Sequence, residues 1–244
     1  MWTKEQLRKH QEAARRLLEI KDLVFAYLKK NQSINERQLH QFILKRYKEF
    51  GLVTDEDLAI AAFGRNTANV HYFPGKKSRR LMKNSLVMLD LWARLDKPHA
   101  PFADITWMGY CGKRIPAKIE RVFAIVKQAR DQGIKRIKRE LAKKKLPGGS
   151  TLDKTARDFI TRRGFGKRFL HSTGHCLGFN TPHGDGGGLT KHNKHPLLKN
   201  LGYTLEPGIY LKNKFGIRSE IDFYIDDKMK LIITTDVQDK IIII

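Results

Sequence analysis

The sequence predicts an α+β fold. Amphipathic stretches at helical spacing interleave with short apolar runs bounded by Gly, Asn and Lys. The later strand-like runs follow one another through glycine-rich turns as antiparallel neighbours, without the helical crossovers of βαβ units. A chain of 244 residues is one large domain or two small ones. No Pro/Ser-rich linker and no shift of composition divides it, so residues 1–244 read as one domain.

Each element has its own signal. Residues 4 to 30 carry Leu17, Leu18, Ile20, Leu23, Val24 and Leu28 along one side and predict a long helix. A second helix is expected from Ser33, where Ser-Ile-Asn-Glu has the form of a capping box: Ser33 would accept from the first turn and Glu36 reach back. It should run to about Phe50 and stop at Gly51. LAIAAFG (58 to 64) and SLVMLDLWARL (85 to 95) then read as strands. Pro116 opens a helix to about Lys145, Pro-Gly-Gly (147 to 149) ends it, and Thr151 is positioned to cap another running to Arg163. From residue 165 strand-like segments alternate with glycine-rich turns, and the chain ends in LIITTD and KIIII.

Composition narrows the function classes. Lys plus Arg number 48 against 25 acidic residues, a net charge of +23. A field of that size attracts nucleic acid or other anionic surfaces, so non-specific nucleic-acid contact is one expectation. The densest run, GIKRIKRELAKKK (133 to 145), keeps Ile134, Ile137 and Leu141 on one face and so reads as a solvated helix face ahead of a dedicated nucleic-acid site. No apolar run reaches the length of a membrane span, and MWTKEQLRKHQEAARR lacks the apolar stretch of a secretory signal. Cys111 and Cys176 make neither a disulfide framework nor a zinc knuckle. They are expected as reduced thiols in a cytoplasmic protein.

The chemistry lies in carboxylates placed where strands should be apolar. Asp90 sits inside LVMLDLW, and Asp104 follows 14 positions later in FADITW, across a turn holding Pro98 and Pro101. Glu206 in TLEPGIYL and Glu220 in GIRSEIDFYI repeat the same 14-residue separation. The stretch LHSTGHCLGFNTPHGDGG (170 to 187) adds His175, among three histidines and five glycines. Singly, these are an edge-strand aspartate, a turn glutamate and a structural histidine. Together, four carboxylates and one imidazole suit two divalent ions.

These five residues and their settings resemble the pita-bread metallopeptidases of family M24, which include methionine aminopeptidase, aminopeptidase P, prolidase and creatinase. The resemblance runs in the family's order through RLLEIKDLVFAYLKKNQSINERQLHQFI, AFGRNTANVHYFP, LVMLDLWARL, FADITWMGYCG, LPGGSTLDKTARDFI, FLHSTGHCLGF, TLEPGIYL and GIRSEIDFYI. It implies a curved antiparallel sheet covered by helices. It also implies two divalent ions, manganese first and cobalt or zinc next. Asp90 would chelate one ion, His175 and Glu206 would belong to the other, and Asp104 and Glu220 would bridge them. A hydroxide between the ions would attack the scissile carbonyl, and Glu206 would pass the proton to the leaving amine. His71 and His171 match substrate-side histidines, His183 a histidine that bonds the tetrahedral intermediate, and Arg218 an arginine that supports the metal carboxylates.

The short Glu206-to-Glu220 spacing, Glu-Pro-Gly-Ile-Tyr and Arg-x-Glu resemble the aminopeptidase P and prolidase branch, where methionine aminopeptidases carry a longer insert. Creatinase has lost the ligands that are all present here. The resemblance therefore implies cleavage of a peptide with proline in second position. The larger members of that branch carry an extra N-terminal domain and this chain starts at the catalytic one; a homodimer is compatible with that. Four departures mark the chain. Trp107 stands where arginine usually follows Asp-Ile-Thr, and Cys176 where a glycine follows the ligand histidine. The hairpin between Asp90 and Asp104 is a few residues longer than usual, and His183 comes one position late. Each could reshape the pocket. Two alternatives stand beside the peptidase: a non-catalytic basic pita-bread module that binds nucleic acid or a protein partner, and a methionine aminopeptidase.

Overall fold

The computed structural model describes residues 1–75 and 78–244. Helices α1 (Lys4–Lys30) and α2 (Glu36–Glu49) come first, followed by strands β1 (Leu52–Val53), β2 (Ile60–Phe63), β3 (Ser85–Leu95) and β4 (Ala103–Cys111). Helices α3 (Ala117–Ala142) and α4 (Gly149–Arg162) precede β5 (Tyr203–Leu205), β6 (Gly208–Leu211), β7 (Phe215–Arg218), β8 (Ile221–Ile225), β9 (Leu231–Ile233) and β10 (Ile242–Ile243). The α+β expectation holds. β1, β2 and β4 pair antiparallel with β3, β5 and β9 with β8, and β6 with β7; β10 is the exception and adds to β4 in parallel.

The β3–β4 hairpin divides the molecule because side chains alternate across a strand. Val87, Leu89, Leu91, Ala93, Ala103 and Ile105 face a core shared with Leu17, Val24 and Phe25 of α1 and Leu39 and Ile43 of α2. Leu86, Met88, Trp92, Phe102 and Met108 face a second core built with α3, α4 and the later strands. Asp90, Asp104 and Thr106 are in phase with this second set, so the alternation itself aims the carboxylates at the α3/α4 side. α1 owes its length to an unbroken apolar stripe and to a capping box in which Thr3 and Gln6 satisfy each other's backbone donors. Leu17, Ile20, Val24 and Leu28 are fully buried, each worth roughly 1.5–3 kcal/mol of transfer free energy.

Two expected caps are corrected. α2 starts at Glu36, capped by Asn35 and Gln38 in a reciprocal box, so Ser33 and Glu36 are not the capping pair. Glu36 is fully buried and its carboxylate points into the protein, away from the helix end. α4 starts at Gly149, with Gly148 as N-cap, which leaves Thr151 inside the helix. Gly149 is needed where it stands: a Cβ there would lie 2.3 Å from Gly188 O, in the segment that carries the histidines.

Candidate metal centre

Two paired strand systems deliver the carboxylates. In the β3–β4 register Asp90 stands opposite Thr106 and Trp92 opposite Asp104, so Asp90 and Asp104 are diagonal neighbours on one face. Leu205 pairs with Ile221 and Gly208 with Arg218 in one continuous register, which sets Glu206 across from Glu220 where the ladder is interrupted. The histidine segment lies directly on β5: Thr204 N donates to His175 O at 2.8 Å, and Glu206 N to Thr173 O at 2.8 Å. Gly174 permits that approach, since a Cβ would sit 2.1 Å from Thr204 O.

Asp104, His175 and Glu220 each offer a donor atom, all within 4.8 Å of one another. His175 Nε2 lies 3.7 Å from Asp104 Oδ2 and 3.5 Å from Glu206 Oε1. Its Nδ1 is 3.0 Å from Cys176 O, so that nitrogen donates and Nε2 keeps its lone pair toward the carboxylates. Asp90 stands alongside but is engaged by the protein: one oxygen pairs with Arg218, the other accepts from Thr106 Oγ1 at 3.2 Å. Thr106 Oγ1 also lies 2.6 Å from Glu220 Oε2.

These carboxyls are poor places for negative charge without a cation. Burial, then Glu220 and its neighbours, pushes Asp104 well above the usual carboxylate range, and burial, then Glu206 and Asp90, does the same to Glu220. Burial raises Glu206 to about 7, and raises Asp90 in spite of the Arg218 beside it. Burial, then His183, lowers His175 to about 3, which keeps it in its metal-ligating form. Asp104 Oδ1 is buried with no hydrogen-bond partner among the described residues. Carboxylates that repel one another, a neutral imidazole and an orphaned oxygen form a donor set that fits divalent cations.

The set opens on a cavity of about 380 Å³, lined also by Asp55, Ile60, Val70, His71, Phe73, Trp92, His171, Pro182, His183 and Arg218. His71 is exposed at its wall. His171 is fixed at both nitrogens, by Ser172 O at 2.8 Å and the Tyr210 hydroxyl at 2.9 Å, and its Nδ1 lies 3.8 Å from Glu206 Oε2. The His183 ring stands edge-on to His175, centroids 4.0 Å apart. Arg218 holds Asp90 and is 3.8 Å from Glu206 Oε2.

Trp107 and Cys176 lie outside the lining of this cavity. Trp107 points to the opposite face of β4, where Lys21 Nζ lies 3.9 Å from the centre of its ring, and Cys176 Sγ accepts from Gly186 N at 3.0 Å. Sequence reasoning passed over Thr106, which spans Asp90 and Glu220, and Asp222, whose Oδ2 accepts from Asp104 N at 2.8 Å. Thr106 was available from the alternation, two places after Asp104 on one strand. Asp222 was not, because its partner is 118 residues away.

The chain matches the model of metallopeptidase family M24 over residues 5–227. The chain belongs to this family. Its pita-bread fold is shared by a prolidase from Thermococcus sibiricus, 30% identical with a TM-score of 0.84 over all of this chain and 62% of that one. An X-Pro aminopeptidase from Thermotoga maritima MSB8 is 25% identical with a TM-score of 0.82, covering 100% of the M24 chain and 64% of its own. An uncharacterized peptidase of Staphylococcus epidermidis is 29% identical over 204 residues, 83% of this chain and 54% of that protein. The M24 chain thus spans about half the length of the curated relatives it matches.

Proposed function

We propose that residues 1–244 form one catalytic domain of a metallo-aminopeptidase that uses two divalent ions to hydrolyse the N-terminal peptide bond ahead of a proline. The observation that carries this reading is the buried donor set: Asp104, His175 and Glu220 within 4.8 Å, Glu206 beside them, and an Asp104 oxygen with no partner among the described residues. In this reading Asp104 and Glu220 would serve both ions, His175 and Glu206 would complete one site, and Asp90 would belong to the other. Oxygen donors with a single nitrogen favour manganese, with cobalt or zinc as substitutes. Bound ions would polarise the scissile carbonyl and acidify the attacking water.

The chain's own groups handle orientation and protons. Glu206, which lines the cavity 3.5 Å from His175 Nε2, is placed to pass a proton to the leaving nitrogen. His171 and His183 are held neutral by burial, so they hydrogen-bond a substrate without adding positive charge beside the cations. His71 meets the substrate at the cavity wall. Arg218 holds Asp90 and faces Glu206. Ile60, Val70, Phe73 and Trp92 give the cavity an apolar side that suits a pyrrolidine ring, and the similarity to a prolidase and an X-Pro aminopeptidase supports the same substrate class. Two free, buried cysteines support a cytoplasmic setting. Among the described residues no helix is long and apolar enough to cross a membrane.

Manganese-loaded protein should cleave an Xaa-Pro-Xaa tripeptide or an Xaa-Pro dipeptide, and Asp104→Ala should lose at least about 100-fold in both metal affinity and turnover. Cleavage of a Met-Ala peptide alone would move the chain to the methionine aminopeptidases. The net charge of +23 favours a second reading, a basic module that binds nucleic acid. Its mark would be metal-independent RNA binding that weakens steeply with salt, with no turnover of any of the three peptides.

A further inference from the structure

We infer that Glu36, outside the metal centre, is the positioning residue for the substrate-facing wall of the cavity. Its carboxylate accepts from Phe63 N at 2.7 Å, from Asn66 Nδ2 at 2.9 and 3.0 Å, from the Tyr72 hydroxyl, and from Arg79 N at 2.6 Å. Its own backbone N donates to Arg79 O at 3.0 Å. Every one of these partners lies between residues 63 and 79, the segment that supplies Val70, His71 and Phe73 to the cavity. Between Val70 and Ser78, among the described residues, the segment is tied down through the Tyr72 hydroxyl, which bonds Glu36 with Asn66 beside it. Tyr72 stands between His71 and Phe73, so that bond sets where both wall side chains are presented.

The chemistry requires a carboxylate. An ionised carboxylate is acceptor-only with about four lone-pair sites, and Glu36 meets four donor groups. No ion pair to Glu36 is found among the described residues. Its charge is met by these donors and by its place in the first turn of α2. The substitution Glu36→Gln would keep the shape but turn one acceptor into a donor aimed at N–H and O–H groups.

The kinetic consequence rests on the peptidase reading; the fastening of the wall does not. Wild type, Glu36→Gln, Tyr72→Phe, His71→Ala and the Glu36→Gln/His71→Ala double variant would be loaded with manganese and assayed on an Ala-Pro-Ala tripeptide. Glu36→Gln should raise KM about tenfold or more with kcat within about threefold, and Tyr72→Phe should move KM the same way by less. The double variant should be no worse than His71→Ala alone within about twofold, because the two residues act through one wall. Manganese affinity by calorimetry should match wild type. Losses that multiply, or that fall on kcat and on manganese binding, would overturn the inference.

Hydrogen exchange read by mass spectrometry needs no turnover. Glu36→Gln, or Tyr72→Phe if the first variant folds poorly, should speed exchange across residues 63–80 and leave β3 and β4 protected. Exchange that rises evenly over the sheet, or does not change, rejects the assignment. Were wild type to cleave none of the peptides, the peptidase reading would fall, and the exchange result alone would uphold or reject the hold of Glu36 on the wall.

Discussion

His10 is fully buried in α1, its Nδ1 2.8 Å from Phe102 O and its Nε2 2.8 Å from Thr234 Oγ1. It ties the first helix to the turn ahead of β4 and to the strand end near Thr234. Burial lowers it from 6.5 to about 4, so between those values the unfolded chain binds a proton here that the folded chain does not. Stability therefore rises with pH through that window: the contribution is whole above 6.5 and lost as pH falls to about 4, a change of about 3 kcal/mol. Urea denaturation of wild type and His10→Gln at neutral pH and near pH 4.5 should show the wild-type advantage shrinking by most of that amount. An advantage independent of pH would mean that His10 is not held neutral. The difference between the two proteins is the quantity to read, because the raised carboxyls of Asp104 and Glu220 act in the opposite sense and cancel in it. Asp90, Asp104, Glu206 and Glu220, which line one cavity, were legible as charges where strands should be apolar, and His175 as an imidazole in a glycine-rich stretch. Thr106 offers only its phase with Asp104, and Asp222, although a charge between Ile221 and Phe223, gains its meaning only once β8 lies beside β4.

At the scale of elements, the contact of α1 with β4 decides how close a helix sits to the sheet that holds the site. Gly109 lies on the α1 face of β4, and a Cβ there would come within 2.5 Å of the Phe25 ring and 2.9 Å of Ile244 Cδ1. Gly109→Ala should therefore destabilise by about 1–3 kcal/mol, a fall in melting temperature of roughly 2–4 °C for each kcal/mol in a chain of this size. Phe25→Leu in the same background should recover part of the loss. Gly75→Ala, where nothing among the described residues lies within 4 Å, should stay within about 0.5 kcal/mol of wild type. An unchanged Gly109→Ala would show that α1 has room to slide. β3 was legible to the residue, found at Ser85–Leu95 as expected, because an apolar run between polar residues has one reading. The start of α2 was not. Ser33-x-x-Glu36 and Asn35-x-x-Gln38 both satisfy the capping pattern, and the choice falls to tertiary structure, since Glu36 is drawn inside by partners 27 to 43 residues away. Trp107 teaches the converse: it lies an odd number of residues after Asp104 on one strand, so period two alone turns it away from the site.

The whole molecule sets two fields against each other. The cavity concentrates Asp55, Asp90, Asp104, Glu206 and Glu220 against Arg218, while the chain as a whole carries 48 Lys and Arg against 25 acidic residues. Bound divalent ions would offset the local negative charge, leaving an approaching peptide to meet mainly the positive surface. Lys135, Lys138, Arg139, Lys143, Lys144 and Lys145 near the end of α3, and Arg162, Arg163, Lys167 and Arg168 near the end of α4, are part of it. At an ionic strength of about 0.01 M the screening length is roughly 30 Å, comparable to the molecule, and by about 0.15 M it is roughly 8 Å. If the chain cleaves Xaa-Pro peptides as proposed, peptides of one Ala-Pro core with two Glu or two Lys at the far end should therefore separate at low salt. The acidic one should be favoured in kcat/KM by about tenfold, mainly through KM, and the ratio should close toward unity by about 0.3 M salt. A neutral Ala-Pro-Ala peptide should respond little over the same range, which separates screening of the substrate from any salt effect on the metal centre. A preference for the acidic peptide that survives high salt would place a fixed cation against its tail instead, and no preference at any salt would mean that the surplus charge is too far from the cavity mouth to steer a substrate.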